Sequence, residues 1–280
     1  MKRAILATFA FALCAAGAGT PHRIVSLSPN VTEMLYGIGA FGQIAGISDY
    51  CTYPADVNKL PSVGGWHNPN LENLAALRPD LVIVDAGQAQ FVEDNFRKLG
   101  LRVMVVSDRT IADVYGAIAA LGQATGHEEA AAKLIAATRA ELLRISQRTA
   151  ALAKAKVVVI VDRTPGTLRD LYTATEGGFL AEVVAIAGGR IALPAAKTGY
   201  AKLSKEDLLA TNPDIILDFI HGVKSRFSGD PIEAWQEMPE LRAVRSHQVY
   251  GVNQDFVPHA SQRIVQTAAL FASLLHPGVK

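Results

Sequence analysis

Short apolar runs alternate with amphipathic segments along the first 125 residues of the chain. The runs that suit buried strands are 24–27, 44–47, 81–84 and 103–106. Apolar positions recur at helical spacing in 31–38, 71–77, 91–99 and 111–124. This alternation predicts right-handed βαβ units and a mostly parallel sheet, so residues 19–125 are expected to form an α/β lobe.

A long helix is predicted directly after this lobe. Residues 128–154 contain no glycine or proline and are rich in Ala, Leu, Glu, Lys and Arg. The three-to-four spacing of one face is carried by Leu134, Thr138, Leu142, Ile145, Thr149 and Leu152. A helix of this extent is roughly 40 Å long, so 126–156 is predicted to be a single rigid connector between two lobes.

The second half of the chain repeats a pattern from the first. Glu72 to Ile83 reads ENLAALRPDLVI, and Glu206 to Leu217 reads EDLLATNPDIIL. Each copy indicates a short helix with a glutamate in its first turn, a Pro-Asp corner and a buried strand. With further strands at 157–161, 215–219 and 249–252 and helices at 179–187 and 261–275, residues 157–280 are predicted to form a second, similar lobe. Twin lobes imply a cleft between them.

The N-terminus is typical of a cleaved secretory signal. Lys2 and Arg3 precede an apolar stretch from Ala4 to Ala16, and small residues follow at 16–18. The stretch is well short of the ~20 residues that a membrane-spanning helix needs. Residues 1–18 are therefore predicted to be a signal peptide that directs the chain to the periplasm. Cys14 lacks the small residue expected just before a lipidated cysteine.

The net charge and the cysteine content limit the classes of binding partner and the disulfides that the chain can form. The chain carries 27 Lys and Arg against 26 Asp and Glu, and loss of Lys2 and Arg3 would turn a formal charge of +1 into about −1. A near-neutral surface is a poor match for nucleic acid. After cleavage only Cys51 would remain, so no intrachain disulfide is expected. We expect a monomer stabilised by packing alone.

Enzyme motifs are absent from the sequence. Residues 37–42 read GIGAFG, but a predicted helix precedes them and a strand follows, the reverse of a dinucleotide fingerprint. His127-Glu128 begins like a zinc-protease motif but lacks the second histidine one turn later. No nucleophile elbow or phosphate-binding loop occurs. No catalytic residue, cofactor or metal ligand is predicted.

Candidate ligand-binding residues lie in loops that follow predicted strands. Tyr50 follows the strand 44–47, and Trp66 and His67 come in a later glycine-rich loop. The loop after 249–252 contains Asp255, Phe256 and His259. Open α/β sheets bind ligands at these positions, and aromatic residues with a few polar groups suit a large, partly apolar small molecule.

A metal site is the rival interpretation. His67, His221 and His259 all follow strand-like or loop segments, and a metal-dependent enzyme or metal chaperone could use them in the same cleft. Their spacing does not match a ligand motif. Cys51 is expected to be a partly buried, inert thiol.

The chain resembles the periplasmic substrate-binding proteins of ABC importers for cobalamin, haem and iron-siderophores. Six stretches carry the resemblance: 23–33, 50–54, 60–66, 72–83, 177–189 and 204–217. Within this family the resemblance is closest to the cobalamin binders. It implies two Rossmann-like lobes joined by a single long helix, the class III architecture, with a corrinoid held between them.

The resemblance also implies roles for particular residues. Tyr50 and Trp66 match aromatic positions that lie against the corrin, and Asp255, Phe256 and His259 match the cleft loop of the second lobe. Glu72 and Glu206 would dock onto arginines of an inner-membrane permease.

The chain departs from the resemblance at positions that bear on the ligand. Asp85 stands at the end of the strand 81–84, where cobalamin binders have a further tryptophan, and no tyrosine stands near Gly65 as in haem binders. Siderophore binders supply arginines, for which Arg109, Arg163, Arg169 and Arg226 are candidates. The ranking is corrinoid first, then haem or siderophore.

Overall fold

The computed structural model describes residues 19–220 and 233–278. The first lobe is built from β1 (Ile24–Ser26), α1 (Pro29–Gly37), β2 (Ile44–Ile47), α2 (Leu71–Ala76), β3 (Leu81–Asp85), α3 (Ala86–Lys98), β4 (Val103–Val106) and α4 (Ile111–Thr125). Its strands are all parallel, in the order β2-β1-β3-β4. The predicted leader, 1–18, lies outside the described residues.

The long helix α5 (Glu128–Thr149) follows the first lobe. Gly126 ends α4 in a left-handed conformation, with φ 74°. With 22 residues, α5 is about 33 Å long, and it packs against α4 on the first lobe. It ends earlier than the predicted 154–156, and at this end the Thr149 hydroxyl donates a 2.7 Å hydrogen bond to the Ile186 carbonyl of the second lobe.

The second lobe has a mixed sheet. Its elements are β5 (Lys156–Asp162), β6 (Tyr172–Ala174), α6 (Phe179–Ile186), β7 (Arg190–Ile191), β8 (Tyr200–Lys202), α7 (Lys205–Thr211), β9 (Ile215–Phe219), α8 (Arg242–Arg245), β10 (Val249–Val252) and α9 (Ile264–Leu275). Strands β10, β9, β5 and β7 are parallel, whereas β6 is antiparallel to both β5 and β8. The predicted α/β class with two lobes is confirmed.

Both faces of the first sheet are covered, which explains the unbroken apolar run in β3. Leu81 and Ile83 face one core with residues of α1 and α4, and Val82 and Val84 face another with residues of α2 and α3. Full burial of such side chains stabilises the fold by about 1.5–3 kcal/mol each. The first of these cores continues along α5 into the second lobe.

The repeated sequence folds into the same corner in both lobes. Arg78 and Asn212, which precede Pro79 and Pro213, both adopt left-handed conformations with φ 45° and 42°. These equal departures from ordinary backbone geometry end α2 and α7 and turn the chain into β3 and β9.

The aspartate of each Pro-Asp corner is used in the same way. Asp80 accepts a 3.0 Å hydrogen bond from the backbone N–H of Arg23, and Asp214 accepts one of 2.8 Å from that of Lys156. In return, Asp80 N–H donates to the Arg23 carbonyl and Asp214 N–H to the Lys156 carbonyl. Each corner thus fixes the start of the neighbouring central strand, and the predicted duplication extends to individual hydrogen bonds.

The glycine-rich segment 37–42 begins at the last residue of α1 and precedes β2, so the order is helix then strand, which excludes the dinucleotide fingerprint as predicted. Cys51 is buried as a free thiol, and burial raises its pKa. Within the described ranges, no helix combines the length and apolar character needed to cross a membrane.

Candidate ligand-binding cleft

The carboxyl edges of the two sheets face each other. Arg109, in the loop after β4, donates a 3.2 Å hydrogen bond to the Gly177 carbonyl of the second lobe. The N–H of Ile111, at the start of α4, donates a 2.6 Å bond to the Glu182 carboxylate on α6. Ligands of open α/β sheets bind at such carboxyl edges. The cleft between the two facing edges is therefore the candidate site.

An aromatic cluster of Trp66, His67 and Phe91 lines the first lobe. The ring centroids of Trp66 and His67 are 4.4 Å apart, those of His67 and Phe91 4.7 Å, and those of Trp66 and Phe91 5.9 Å. Phe91 is 47% exposed, which is a large apolar surface for a helical phenylalanine. The structure thereby adds Phe91 to the predicted Trp66 and His67. Its sequence signal, an aromatic residue early in the helix after β3, did not distinguish it from a core residue.

A series of hydrogen bonds links the aromatic cluster to buried polar side chains of the first lobe. The Trp66 indole N–H donates to Asp85 Oδ2 at 3.0 Å, and the Ser28 hydroxyl donates to the same oxygen at 2.8 Å. Ser28 also contacts Asn30, whose amide donates to Asp108 Oδ2 at 2.8 Å. This series of hydrogen bonds connects the aromatic cluster with Asp108, in the loop after β4.

Asp108 lies next to the second lobe. Burial, followed by the negative charge of Asp85, raises the pKa of Asp108 to about 7. Burial also raises the pKa of Tyr200 on β8, and the charge of Asp108 adds to that shift. Asp108 therefore carries a proton through much of the range below neutral pH, at a point where the two lobes meet.

Replacing Asp108 by asparagine is expected to stabilise the protein at pH 8 and to change little at pH 4.5. Because the folded-state pKa is raised, the wild-type chain loses stability as pH rises from about 4 to about 7. The shift corresponds to about 4 kcal/mol, of which screening by water leaves about 2 kcal/mol for a partly exposed group. Urea unfolding at both pH values measures the gain. Asp94→Asn, an exposed change on α3, is the control, and an equal gain at both pH values would contradict the assignment.

An inter-lobe ion cluster joins α1 to the C-terminal segment. Glu33 is 1% exposed, and its Oε1 lies 2.8 Å from His259 Nδ1 and 2.9 Å from Arg263 Nη1. Its other oxygen accepts a hydrogen bond from Ser261. The inter-lobe ion cluster consists of Glu33, Asp255, His259, Ser261 and Arg263.

Arg263 is the centre of this cluster. Its guanidinium pairs with Asp255 at 2.9 Å and lies over the rings of Tyr53, at 4.2 Å, and Phe256, at 5.3 Å. Burial would raise the pKa of Asp255, but the hydrogen bond and charge of Arg263 outweigh burial and lower it. Asp255 also accepts a 3.3 Å hydrogen bond from Thr52 of the first lobe.

The structure thus brings together the predicted residues Asp255, Phe256 and His259. Both carboxylate oxygens of Asp255 and the Nδ1 atom of His259 already have partners within the protein. Tyr50 stands apart, 59% exposed in the turn after β2 and two residues before Thr52.

A small apolar hollow faces the cleft from the second lobe. It is lined by Val161, Tyr172, Leu180, Tyr200, Phe219 and Pro258. Its volume is about 150 Å³, against the ~300–1,000 Å³ typical of sites that enclose a small ligand. The rings of Tyr172 and Tyr200 stack at 6.0 Å. The second-lobe hollow can receive one apolar edge of a large ligand, and sequence reasoning missed Tyr172 and Tyr200.

The histidines of the metal hypothesis lie in different environments. His67 belongs to the aromatic cluster and His259 to the inter-lobe ion cluster, while His221 lies outside the described residues. Throughout 19–220 and 233–278, no three His, Cys, Asp or Glu side chains are grouped in a way that could hold a metal ion.

Glu72 and Glu206 occupy matching positions. Each is the exposed second residue of its helix, after the N-caps Asn70 and Ser204, whose side chains accept from the N–H three residues later. The N–H of Asn70 donates to the Val63 carbonyl, and the N–H of Val63 donates to the carbonyl of Ile47 at the end of β2. Ser204 follows the end of β8, which lies across β6 from the end of β5. Both glutamates therefore lie at the sheet edges that border the cleft.

Comparisons of the sequence identify one family. A family model described as periplasmic binding protein matches residues 24–256. An uncharacterized ABC transporter substrate-binding lipoprotein of Bacillus subtilis is 29% identical over 262 residues, which cover 92% of this chain and 81% of the relative. A vitamin B12-binding protein of Pectobacterium carotovorum is 25% identical over 264 residues, covering 94% and 91%.

Solved structures share the fold. The periplasmic vitamin B12-binding protein of Vibrio cholerae is 24% identical with a TM-score of 0.76, and covers 91% of this chain and 97% of its own. A periplasmic haem-binding protein of Pseudomonas aeruginosa is 22% identical with a TM-score of 0.79, covering 93% and 94%. These similarities confirm the class III architecture.

Proposed function

Since the chain belongs to the periplasmic binding proteins and serves an ABC importer of the vitamin B12, haem and iron family, we propose that its ligand is a corrinoid. The lobes hold the corrinoid in the cleft, between the aromatic cluster of the first lobe and the second-lobe hollow. The chain then delivers it to a membrane permease without changing it chemically.

The observation that carries this proposal is the pair of apolar surfaces at the facing sheet edges. Phe91 offers an exposed ring and Trp66 a partly buried one on one side, and Tyr172, Tyr200 and Phe219 line the hollow on the other. Aromatic faces in a cleft with few free polar groups suit a broad, flat ligand that is recognised by stacking. Tyr50 adds an exposed ring at the rim.

Two arginines near the cleft have their charges compensated by carboxylates, which favours a ligand without strong negative charge. Arg263 is paired with Glu33 and Asp255, and Arg163 forms a buried 2.8 Å ion pair with Asp218. Arg109 donates to a backbone carbonyl, a neutral acceptor that leaves its positive charge in place. A corrinoid presents neutral amides, whereas haem and many ferric siderophores present carboxylates or other anions that require free cations.

The haem alternative has one candidate iron ligand among the residues considered for it. No tyrosine stands near Gly65, but the Glu33 carboxylate contacts only Nδ1 of His259, so Nε2 is the atom that could bind iron. Haem and ferric siderophores remain the second candidate, because the relatives include proteins named for haem and iron. A metal-dependent enzyme or chaperone is the candidate of another class, and it would need His67 and His259 to act together.

Glu72 and Glu206 are proposed to dock the chain onto the permease. They are exposed, symmetric and at the edges that border the cleft, so that both would meet one partner surface that also faces the ligand. Carboxylates in such positions pair well with arginines. The same proposal places the chain in the periplasm as a monomer, after removal of residues 1–18.

Titration with cyanocobalamin, haemin and a ferric siderophore tests the ligand. We expect saturable binding of cyanocobalamin and quenching of Trp66 fluorescence. Trp66→Ala should weaken binding about 30-fold, since a central tryptophan contributes about 2 kcal/mol. Calorimetry measures both affinities, and Leu143→Ala, which removes an exposed apolar side chain on α5, is the control. Tighter binding of haemin with a Soret shift would identify a haem receptor, and stoichiometric zinc with no cobalamin binding would support the enzyme or chaperone.

A further inference from the structure

We propose that Asp85 is a positioning residue that fixes the indole of Trp66 in the orientation needed to stack on the ligand. The inference deepens the proposed function and depends on it for the identity of the ligand. It assigns a role to the residue that stands where the resemblance leads one to expect another tryptophan.

Both carboxylate oxygens of Asp85 are in use. Oδ1 accepts a 2.8 Å hydrogen bond from the Gln88 N–H and thereby caps α3, while Oδ2 accepts from the Trp66 indole at 3.0 Å and from Ser28 at 2.8 Å. Asp85 is only 5% exposed, so water competes little for these bonds. Hydrogen bonds to a buried charged acceptor are among the strong ones in proteins.

The backbone around Trp66 is held as well. The Gln88 side chain donates a 2.7 Å hydrogen bond to the Trp66 carbonyl. The indole lies over Gly87, where a β-carbon would stand 3.6 Å from the ring and 3.2 Å from Asp85 Oδ1. A β-carbon at position 87 would only be in van der Waals contact with the ring, which lies against the first turn of α3, with Phe91 one turn further along.

This arrangement restricts what Trp66 can do. Its N–H is satisfied within the protein, so the ring offers the ligand a π-face and no hydrogen-bond donor. A fixed ring loses less conformational entropy on binding than a mobile one. Asp85 thus does not supply a second aromatic side chain but holds the ring of Trp66 rigid.

The alternative is that Asp85 only caps α3, and two substitutions separate the roles. Asp85→Ser keeps a side-chain oxygen for the Gln88 N–H but is too short to reach the indole. Asp85→Asn keeps the cap through its carbonyl and turns an NH₂ group toward the indole N–H. Asp94→Ser, an exposed change on the same helix, is the matched control.

Fluorescence in a Trp235→Phe background reports on Trp66 alone, because the chain has 2 tryptophans. For both Asp85 variants we expect lower anisotropy without ligand and about tenfold weaker cyanocobalamin binding. The thermal midpoint should fall below that of the Asp94→Ser control, because Trp66 and Ser28 lose a buried acceptor, so anisotropy and binding are measured well below the midpoints of all the variants. Unchanged anisotropy, or lower anisotropy with unchanged affinity, would overturn the proposal. Failure of the proposed function shows differently, as no binding of cyanocobalamin to the wild-type chain, and haemin then serves as the probe.

Discussion

Replacing Glu33 by alanine is expected to lower the free energy of unfolding by about 3 kcal/mol, the lower end of the cost of removing one partner from a buried ion pair, because Arg263 keeps its second carboxylate partner, Asp255. The Arg263 side chain is 9% exposed, and its guanidinium would lose the Glu33 carboxylate that lies 2.9 Å from it while keeping that of Asp255. Ser261 would lose its acceptor at the same time. Urea unfolding at pH 7 measures the change. For a domain pair of ordinary stability this is a large fraction of the total.

Two companion variants sharpen this prediction. Glu33→Gln keeps one of the two oxygen acceptors and removes the charge, so its cost should be smaller than that of alanine. Glu129→Ala removes an exposed partner of Lys133 on α5 and should change stability by less than about 1 kcal/mol. Equal costs for Glu33→Ala and Glu129→Ala would show that the inter-lobe ion cluster contributes little to holding the lobes together.

Charge reversal at both Glu72 and Glu206 is expected to abolish uptake without affecting ligand affinity. Like charges placed against arginines at an interface cost several kcal/mol, so docking should weaken more than about 100-fold. Uptake of labelled cyanocobalamin by cells that express the Glu72→Lys/Glu206→Lys variant measures the loss. Calorimetry on the purified variant should return the wild-type affinity, because neither side chain contacts the aromatic cluster or the hollow described above.

A matched control exists for the helix position of these glutamates. Glu128 and Glu129 are exposed and also lie in the first turn of a helix. The Glu128→Lys/Glu129→Lys variant therefore has the same change in net charge and a comparable loss of favourable interaction with a helix dipole, about 0.3–1 kcal/mol per site. Wild-type uptake by this control with none by the test variant supports docking. Intact uptake by the test variant would refute it.

The elements of the first lobe could be predicted closely because each rests on local signals. Strands 44–47 and 103–106 and the start of α4 at residue 111 agree with the structure to the residue. In the second lobe, β6, β7 and β8 were not predicted. They have 2 or 3 residues each, too few for a periodic pattern, and they exist because neighbouring strands supply their hydrogen bonds.

The candidate site was predictable in part. Loop position and residue type pointed to Trp66 and His67, but nothing local marks Phe91, Tyr172 or Tyr200 as cleft residues. Asp85 was interpreted as the absence of an aromatic side chain from the cleft, whereas in the structure it accepts a hydrogen bond from Trp66. Whether a side chain faces a cleft depends on which distant segment packs beside it. The periodic pattern of apolar residues in the sequence does not contain that information.

By itself the sequence determined the α/β class, the duplicated lobes, the long connecting helix and the matched glutamates, because each follows from spacing within a few turns or strands. Only the tertiary structure decided that Glu33 and Arg263, which are far apart in the chain, form a buried pair across the lobes. It also decided that Asp85 holds an indole and that Asp108 titrates near neutrality. Burial and charge proximity are properties of the packed chain, so long-range electrostatics and the shape of the cleft appear only when the two lobes meet.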